Sequence, residues 1–265
     1  AYEIKECDWS SDVCSSDLGG LMLAFGPPHG ILVNALFYMP FMLWLFRAPF
    51  KRKPDDKKLP AARGLADILP TMREISGNRT IVAMTLLAGT ASLFIGNAYQ
   101  AQMPGFAHDL GAGHADFTYS MLLAADAAGA LVAGFVLESR GLLSARPRTA
   151  FVLAMLWCCT IGGFAASTSY ALAVALLFCS GFLQLSFASM AQTLVQMEAP
   201  QHMRGRVIGL YNMAAQGMRA FAGVTIGLMG SMIGIHWSLA LSALLLLSVI
   251  AVLHAFTLGA RRPHQ

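Results

Sequence analysis

Apolar stretches long enough to cross a lipid bilayer recur along most of this chain. The hydrocarbon core of a bilayer is about 30 Å thick, and a helix rises about 1.5 Å per residue, so each crossing needs about 20 apolar residues. The chain is 56% hydrophobic and only 12% charged, unlike an ordinary soluble domain. We therefore predict an all-α membrane protein, a polytopic helical bundle. The seven predicted spans are 31–50, 80–103, 117–137, 149–166, 170–196, 207–230 and 237–258.

Lys and Arg occur in every second connection between these spans. If the spans alternate in direction, the basic segments all fall on one side, while the opposite connections contain neither Lys nor Arg. Short loops rich in Lys and Arg stay in the cytoplasm. We therefore expect an integral protein of a bacterial-type inner membrane with a cytoplasmic C-terminus, and no nucleic-acid partner. The basic segments are 47–79, 140–148, 204–206 and 261–262.

The first 18 residues do not fit the pattern of the rest. The stretch DWSSDVCSSDL is polar and matches a translated sequencing adaptor, so residues 1–18 are interpreted as a non-native scar. Residues 19–50 are expected to hold the end of one helix and a complete second one. Since apolar sequence starts abruptly after the scar, we expect a fragment that lacks its N-terminal portion.

The remaining chain divides into a linker, a bundle and a tail. Residues 51–79 are predicted to be a basic cytoplasmic linker, 80–258 a bundle of six helices, and 259–265 a cytoplasmic tail. Within the linker, apolar residues at helical spacing over 65–75 predict a short amphipathic helix on the membrane surface. Pro70 should kink that helix or mark its start. A solvated linker without a helix is the alternative.

Two motifs lie at the basic ends of predicted helices. GFVLESRG, at 134–141, has a Gly followed four residues later by an acid and then by Arg and Gly; APQHMRGRVIGLYNMAAQG spans 199–217. The order of one helix, a basic linker and six further helices, together with these two motifs, resembles the C-terminal half of a major facilitator superfamily transporter. The likeness is to the branch of enterobactin exporters and macrolide efflux proteins. Glu138 and Ser139 depart from the family pattern.

The resemblance implies a fold, a function and partners. The chain would be the six-helix C-terminal half plus the sixth helix and the end of the fifth, and its partners would be protons, a small-molecule substrate and a missing N-terminal half. Acid and Arg residues at helix ends can pair across the mouth of such a bundle. The alternative is that the arginines only hold topology, since exposed ion pairs are weak. The predicted cytoplasmic gate is Gly134, Glu138, Arg140, Gly141, Arg204, Gly205 and Arg206.

Two charges lie deep in the six predicted helices. Asp126 is about 14 Å from the outer start of its span and Arg219 about 18 Å from the inner start of its own, so their depths nearly coincide. A lone charge at the bilayer centre costs about 2.5–3.5 kcal/mol. We predict a buried pair in which protonation of Asp126 frees Arg219 for substrate or for an N-terminal carboxylate. A fixed pair that only orders the bundle is the alternative.

Amide side chains extend the polar surface around these charges. We predict that Asn97, Gln100, Asn212 and Gln216 line a substrate cavity; interhelical hydrogen bonds are the alternative. Neutral amides beside aromatic and Met side chains suit a bulky amphipathic molecule. The small residues Gly129, Gly223 and Gly227 are predicted to allow close helix packing instead.

Several other chemistries lack their motifs. The sequence contains no G-x-x-x-x-G-K-[ST], H-E-x-x-H or G-x-S-x-G pattern. His108, Asp109, His114 and Asp116 crowd one outer loop, but their spacing matches no closed metal site. We predict no enzyme, no metal and no cofactor. The predicted function is proton-coupled export of a hydrophobic or amphipathic molecule such as a drug or siderophore. The alternative is a non-transporting scaffold or a membrane-embedded enzyme on a similar bundle.

Overall fold

A computed structural model describes residues 68–96, 98–110, 115–140 and 146–259, together with positions 36, 39–40, 42–44 and 46–47. The chain divides into two units, Ala1–Arg63 and Gly64–Gln265. The described positions of the first unit are helical, in agreement with the predicted span 31–50. The predicted scar at 1–18 and the linker before residue 68 lie outside the described residues.

Every regular element among the described residues of the second unit is an α-helix. Five described stretches are long and apolar enough to cross a membrane: Arg79–Ala101, Thr118–Leu137, Pro147–Ala165, Tyr170–Glu198 and Ile235–Thr257. The predicted all-α membrane bundle is confirmed. In chain order the helices are α1 (Ile68–Ile75), α2 (Arg79–Phe94), α3 (Ala98–Ala101), α4 (Met103–Asp109), α5 (Ala115–Arg140), α6 (Pro147–Ala165), α7 (Tyr170–Glu198), α8 (Arg204–Gly217), α9 (Arg219–Ile233) and α10 (Ile235–Gly259).

Four of the predicted spans are single helices. The predicted ranges 117–137, 149–166, 170–196 and 237–258 correspond to α5, α6, α7 and α10, each within a few residues at either end. The predicted amphipathic helix is α1, which begins two residues before Pro70. Pro is tolerated there because the N–H groups of the first turn have no partner within the helix.

Two predicted spans are broken, which corrects the expectation of continuous helices. The range 80–103 divides between α2 and α3, with α4 starting at Met103, so the membrane-crossing stretch Arg79–Ala101 consists of two helices in series. The range 207–230 divides at Met218 into α8, of 14 residues, and α9, of 15 residues. Each of these two helices alone is shorter than a bilayer crossing needs.

The long helix α7 lies at the centre of the packing. It runs along α5 on one side and α6 on another, while α10 covers α6 and α2, and α2 packs against α8. Large apolar side chains such as Trp157, Phe151 and Leu87 are fully buried between these helices. The indole Nε1 of Trp157 donates a hydrogen bond to Ser180 Oγ at 3.1 Å, which satisfies a buried donor across the α6–α7 contact.

The short helix α1 docks against the basic end of the bundle, near the start of α8. Its Thr71 and Ile75 are buried, and Glu74 Oε1 lies 2.9 Å from His202 Nε2. Asn78 then caps α2: its side-chain oxygen accepts from the N–H groups of Thr80 and Ile81. A polar Ncap of this kind satisfies donors that the helix itself cannot.

Candidate functional site

Asp126 lies in the middle of α5 and is buried, with 6% of its surface exposed. Its Oδ2 accepts one hydrogen bond from the Tyr99 hydroxyl at 3.0 Å and another from Gln100 Nε2 at 3.3 Å. Among the described residues, its Oδ1 has no hydrogen-bond partner. Buried carboxylates are usually fully hydrogen-bonded, so the unpartnered oxygen marks this group as a functional candidate.

The backbone around Asp126 is held by a close crossing of α5 and α7. A Cβ added to Gly129 would overlap the carbonyl oxygen of Phe178, and a Cβ added to Gly181 would overlap the carbonyl oxygen of Asp126. The same added atom on Gly181 would lie 3.1 Å from Asp126 Oδ1. Glycine on both helices therefore allows the backbones to touch, and the predicted packing role of Gly129 is confirmed.

The two donors to Asp126 come from α3, directly after the break that follows α2. Gly96 lies in this break with φ of +48°, a left-handed conformation that glycine adopts without strain. Tyr99 follows on α3 and is fully buried, and Gln100 is half-buried. The break thus brings a phenol and an amide, both neutral donors, onto one carboxylate oxygen.

The second break places Arg219 within electrostatic range of Tyr99, one of the two donors to Asp126. Arg219 is the first residue of α9, is exposed, and lies close enough to the Tyr99 hydroxyl to interact with it electrostatically. No ion pair joins Arg219 to Asp126 in the described part of the chain. The partners of Asp126 are therefore Tyr99 and Gln100 rather than the guanidinium expected from the sequence, and Tyr99 interacts with both charges.

Of the predicted cavity residues, three can be placed. Asn212 and Gln216 are exposed on α8, and Gln100 is the half-buried donor to Asp126. Asn97 lies outside the described residues. Gln192 on α7 is also exposed. Amides facing lipid would lose their hydrogen bonds, so this face suits contact with water or with other protein.

A family model of the Major Facilitator Superfamily matches residues 14–223, which is most of the chain. The chain belongs to the Major Facilitator Superfamily. Proteins of this superfamily are transporters of small molecules, and the apolar helices described above are those of an integral membrane protein. No curated protein matches the chain.

The predicted gate of this facilitator chain is only partly within the described structure. Gly134 is half-buried on α5, Arg204 and Gly205 are exposed at the start of α8, and Arg206 is half-buried. The side chains of Glu138 and Arg140, and all of Gly141, lie outside the described residues. Pairing between Glu138 and an arginine therefore stays a prediction.

At the opposite end of the facilitator bundle, two histidines flank one carboxylate. Asp109 Oδ1 lies 3.4 Å from His108 Nδ1, and its Oδ2 lies 3.4 Å from His236 Nε2 on α10. The Nδ1 atom of His236 also lies 2.7 Å from the carbonyl oxygen of Ala165. Within the described ranges no three His, Cys, Asp or Glu residues form a group that could hold a metal ion. His114 and the side chain of Asp116 lie outside them.

Sequence reasoning missed two residues of the site and one of its contacts. Ser92 and Gly181 were not predicted as functional, although they contact the broken helices and Asp126, and Tyr99 was not predicted as the partner of Asp126. Small residues recur at 89 and 92 on α2 and at 96 just after it, which is a helical spacing and a signal for close packing. Conversely, a Cβ on Gly223 or Gly227 would meet nothing within 4 Å in the described structure, so the close packing predicted there is not found.

Proposed function

We propose that this chain forms the C-terminal half of a proton-coupled exporter and that Asp126 carries the proton. The observation that supports this is the buried Asp126 carboxylate, which has two neutral donors on Oδ2 and no partner on Oδ1 among the described residues. A carboxyl group buried in a membrane helix is costly when charged, so it gains by binding a proton. Membrane carboxylates of this kind serve as proton relays.

The contacts of Asp126 favour a proton over a metal cation. A hard cation needs several oxygen ligands around it, whereas the two groups that face Asp126 Oδ2 are a hydroxyl and an amide that both donate hydrogen bonds. In the arrangement that the described residues show, both groups turn hydrogens rather than acceptor lone pairs toward Oδ2, which stabilises the ionised carboxylate and does not provide metal ligands there.

The exposed face of α8 and α9 supports the proposed substrate class. Asn212, Gln216 and Arg219 are exposed there beside the apolar side chains of Met213 and Phe221. Neutral amides, one positive charge and apolar surface together suit an amphipathic molecule such as a drug or siderophore. In this proposal an N-terminal half closes the cavity from the other side, since substrate sites in such folds lie between two halves. The proposed location is a bacterial-type inner membrane with the C-terminus in the cytoplasm.

The test is gradient-driven efflux from vesicles that contain the complete transporter. We expect Asp126→Asn to reduce efflux driven by a pH gradient at least tenfold, while exchange of substrate without a gradient continues. Asp126→Glu should restore part of the gradient-driven rate. Asp109→Asn is the matched control, because it makes the same change at an exposed carboxylate, and it should transport as the unmodified protein does.

Two outcomes would overturn the proposal. Gradient-driven efflux that survives in Asp126→Asn at normal protein levels would remove Asp126 from coupling. Efflux that follows a sodium gradient at constant pH would replace the proton as the coupling ion.

A further inference from the structure

The break at Met218 lies against α2, and the break that follows α2 lies against the first turns of α9. A Cβ added to Gly89 on α2 would lie 3.5 Å from Ala214 Cβ, and one added to Gly96, just after α2, would lie 3.3 Å from Ala222 Cβ. Between these two contacts, the Ser92 hydroxyl donates a hydrogen bond to the carbonyl oxygen of Ala215. The contact therefore runs along α8, past Met218 and onto α9.

The carbonyl that Ser92 binds is one that the break makes available. In a continuous α-helix, the oxygen of Ala215 would accept from the N–H four residues later, which is that of Arg219. Here α8 ends at Gly217, and Arg219 is the first residue of a new helix, where N–H groups lack partners within the helix. The oxygen of Ala215 is bound instead by a side chain 123 residues earlier in the chain.

We propose that Ser92 is a positioning residue that keeps α8 and α9 separate at Met218. In the structure the Ala215 carbonyl is bound by the Ser92 hydroxyl and the helix is broken, whereas a continuous helix would direct the Arg219 N–H to the same carbonyl. A carbonyl oxygen can accept two hydrogen bonds, so the Ser92 bond favours the broken arrangement over the continuous one by turning the carbonyl toward α2. In the broken arrangement the Arg219 side chain is held within electrostatic range of Tyr99, the residue that binds Asp126. The functional consequence, that the two arrangements change the position of Arg219 relative to Tyr99 and so affect Asp126, rests on the proposed function. The existence of the two arrangements does not.

Residue-resolved hydrogen–deuterium exchange on the full chain in lipid tests the two arrangements. In Ser92→Ala the Ala215 carbonyl loses its donor, so the helix should rejoin and the Arg219 amide should exchange at least tenfold more slowly. Ser92→Thr keeps the hydroxyl and should exchange as the unmodified chain does. Thr90→Ala is the matched control, because Thr90 Oγ1 bonds the carbonyl oxygens of Leu86 and Leu87 in its own helix.

A proline at an exposed position gives a second test that does not depend on Ser92→Ala folding. Ala220 lies in the first turn of α9 and is exposed, and Pro is tolerated in the first turn but not inside a continuous helix. We expect Ala220→Pro to fold, and the double variant Ser92→Ala with Ala220→Pro to regain fast exchange at Arg219. Unchanged or faster exchange in Ser92→Ala, or failure of Ala220→Pro to fold, would overturn the proposal.

The exchange measurement needs no transport, so the two proposals fail separately. Slow exchange at Arg219 in Ser92→Ala, combined with normal gradient-driven efflux in Asp126→Asn, would support the two arrangements of α8 and α9 and contradict the proton site. Unchanged exchange at Arg219 in Ser92→Ala, combined with loss of gradient-driven efflux in Asp126→Asn, would support the proton site and contradict the two arrangements.

Discussion

Two helix contacts in this bundle use small residues for opposite purposes. At the crossing of α5 and α7, Gly129 and Gly181 bring two unbroken helices of 26 and 29 residues into backbone contact. Where α2 meets α8 and α9, small residues accompany a break in each chain segment, and a hydroxyl binds the carbonyl released by one of them. The first contact has no room to adjust, whereas the second has an alternative hydrogen-bonding arrangement.

The difference matters because of where the charges lie. Asp126 is on the unbroken pair, while its donors Tyr99 and Gln100 and the nearby Arg219 all follow breaks. When a carboxylate lies on a rigid helix and its hydrogen-bond donors lie on segments that can rearrange, a change in its protonation can move those segments. Small residues in a membrane helix therefore indicate close approach of two helices, but by themselves they do not show whether the contact is rigid or can rearrange.

The largest expected effect comes from filling the rigid crossing. Gly129→Ala or Gly181→Ala places a methyl group against the facing backbone, which cannot move aside as a side chain can. We expect either variant to lower the free energy of unfolding by about 3 kcal/mol or more, at the upper end of overpacking costs. Unfolding in mixed detergent micelles measures it.

Gly162→Ala is the control for that crossing, because its Cβ would be 3.9 Å from Ala243 Cβ, an ordinary contact. It should change stability by less than about 1 kcal/mol. Equal stability of the Gly162, Gly129 and Gly181 variants would show that the α5–α7 contact is not rigid.

A smaller loss is expected at the break after α2. Gly96→Ala must adopt a positive φ, which costs about 1–2 kcal/mol for a residue with a Cβ, and its methyl group would lie 2.5 Å from the carbonyl oxygen of Ser92 and 3.3 Å from Ala222 Cβ. We expect this loss of stability together with a lower transport rate, measured on the same protein by unfolding and by efflux. Gly77→Ala, where a Cβ meets nothing within 4 Å, should affect neither. A stable, fully active Gly96→Ala would mean that the break is not required.

The smallest effect on stability, but a distinctive one on function, is expected from Tyr99→Phe. The change removes one of two donors to the ionised Asp126 carboxylate, and a hydrogen bond to a charged group contributes about 1.5–3 kcal/mol. The ionised form is thereby less stable, so the pH profile of gradient-driven efflux should move to higher pH by about one to two units, at about 1.4 kcal/mol per unit.

Tyr170→Phe is the matched control for the pH profile. The Tyr170 hydroxyl also donates a hydrogen bond, at 2.8 Å, but to the backbone carbonyl of Thr118 rather than to a carboxylate. Its pH profile should stay unchanged. A shift of the same size in both variants would show that the profile does not report on Asp126.

The helices were largely predictable because each depends on local composition. Runs of apolar residues between polar connections located α5, α6, α7 and α10 within a few residues. The amphipathic spacing within the linker located α1, and the position of Asp126 within a single apolar helix was also correct. The hydrophobic periodicity of one segment carries no information about which residues of another helix it contacts. The broken helices and the partners of Asp126 were therefore not predicted.

The sequence by itself determined that this chain crosses a membrane, where most of its helices lie, and that one carboxylate sits deep among apolar residues. These features follow from the cost of placing polar backbone and side chains in hydrocarbon, which acts on each segment separately. The tertiary structure alone decided that Asp126 binds Tyr99 and Gln100, and that the predicted span 207–230 breaks at Met218. The reason is that these outcomes depend on groups far apart in sequence, such as Ser92 and Ala215, which come into contact only when the helices pack.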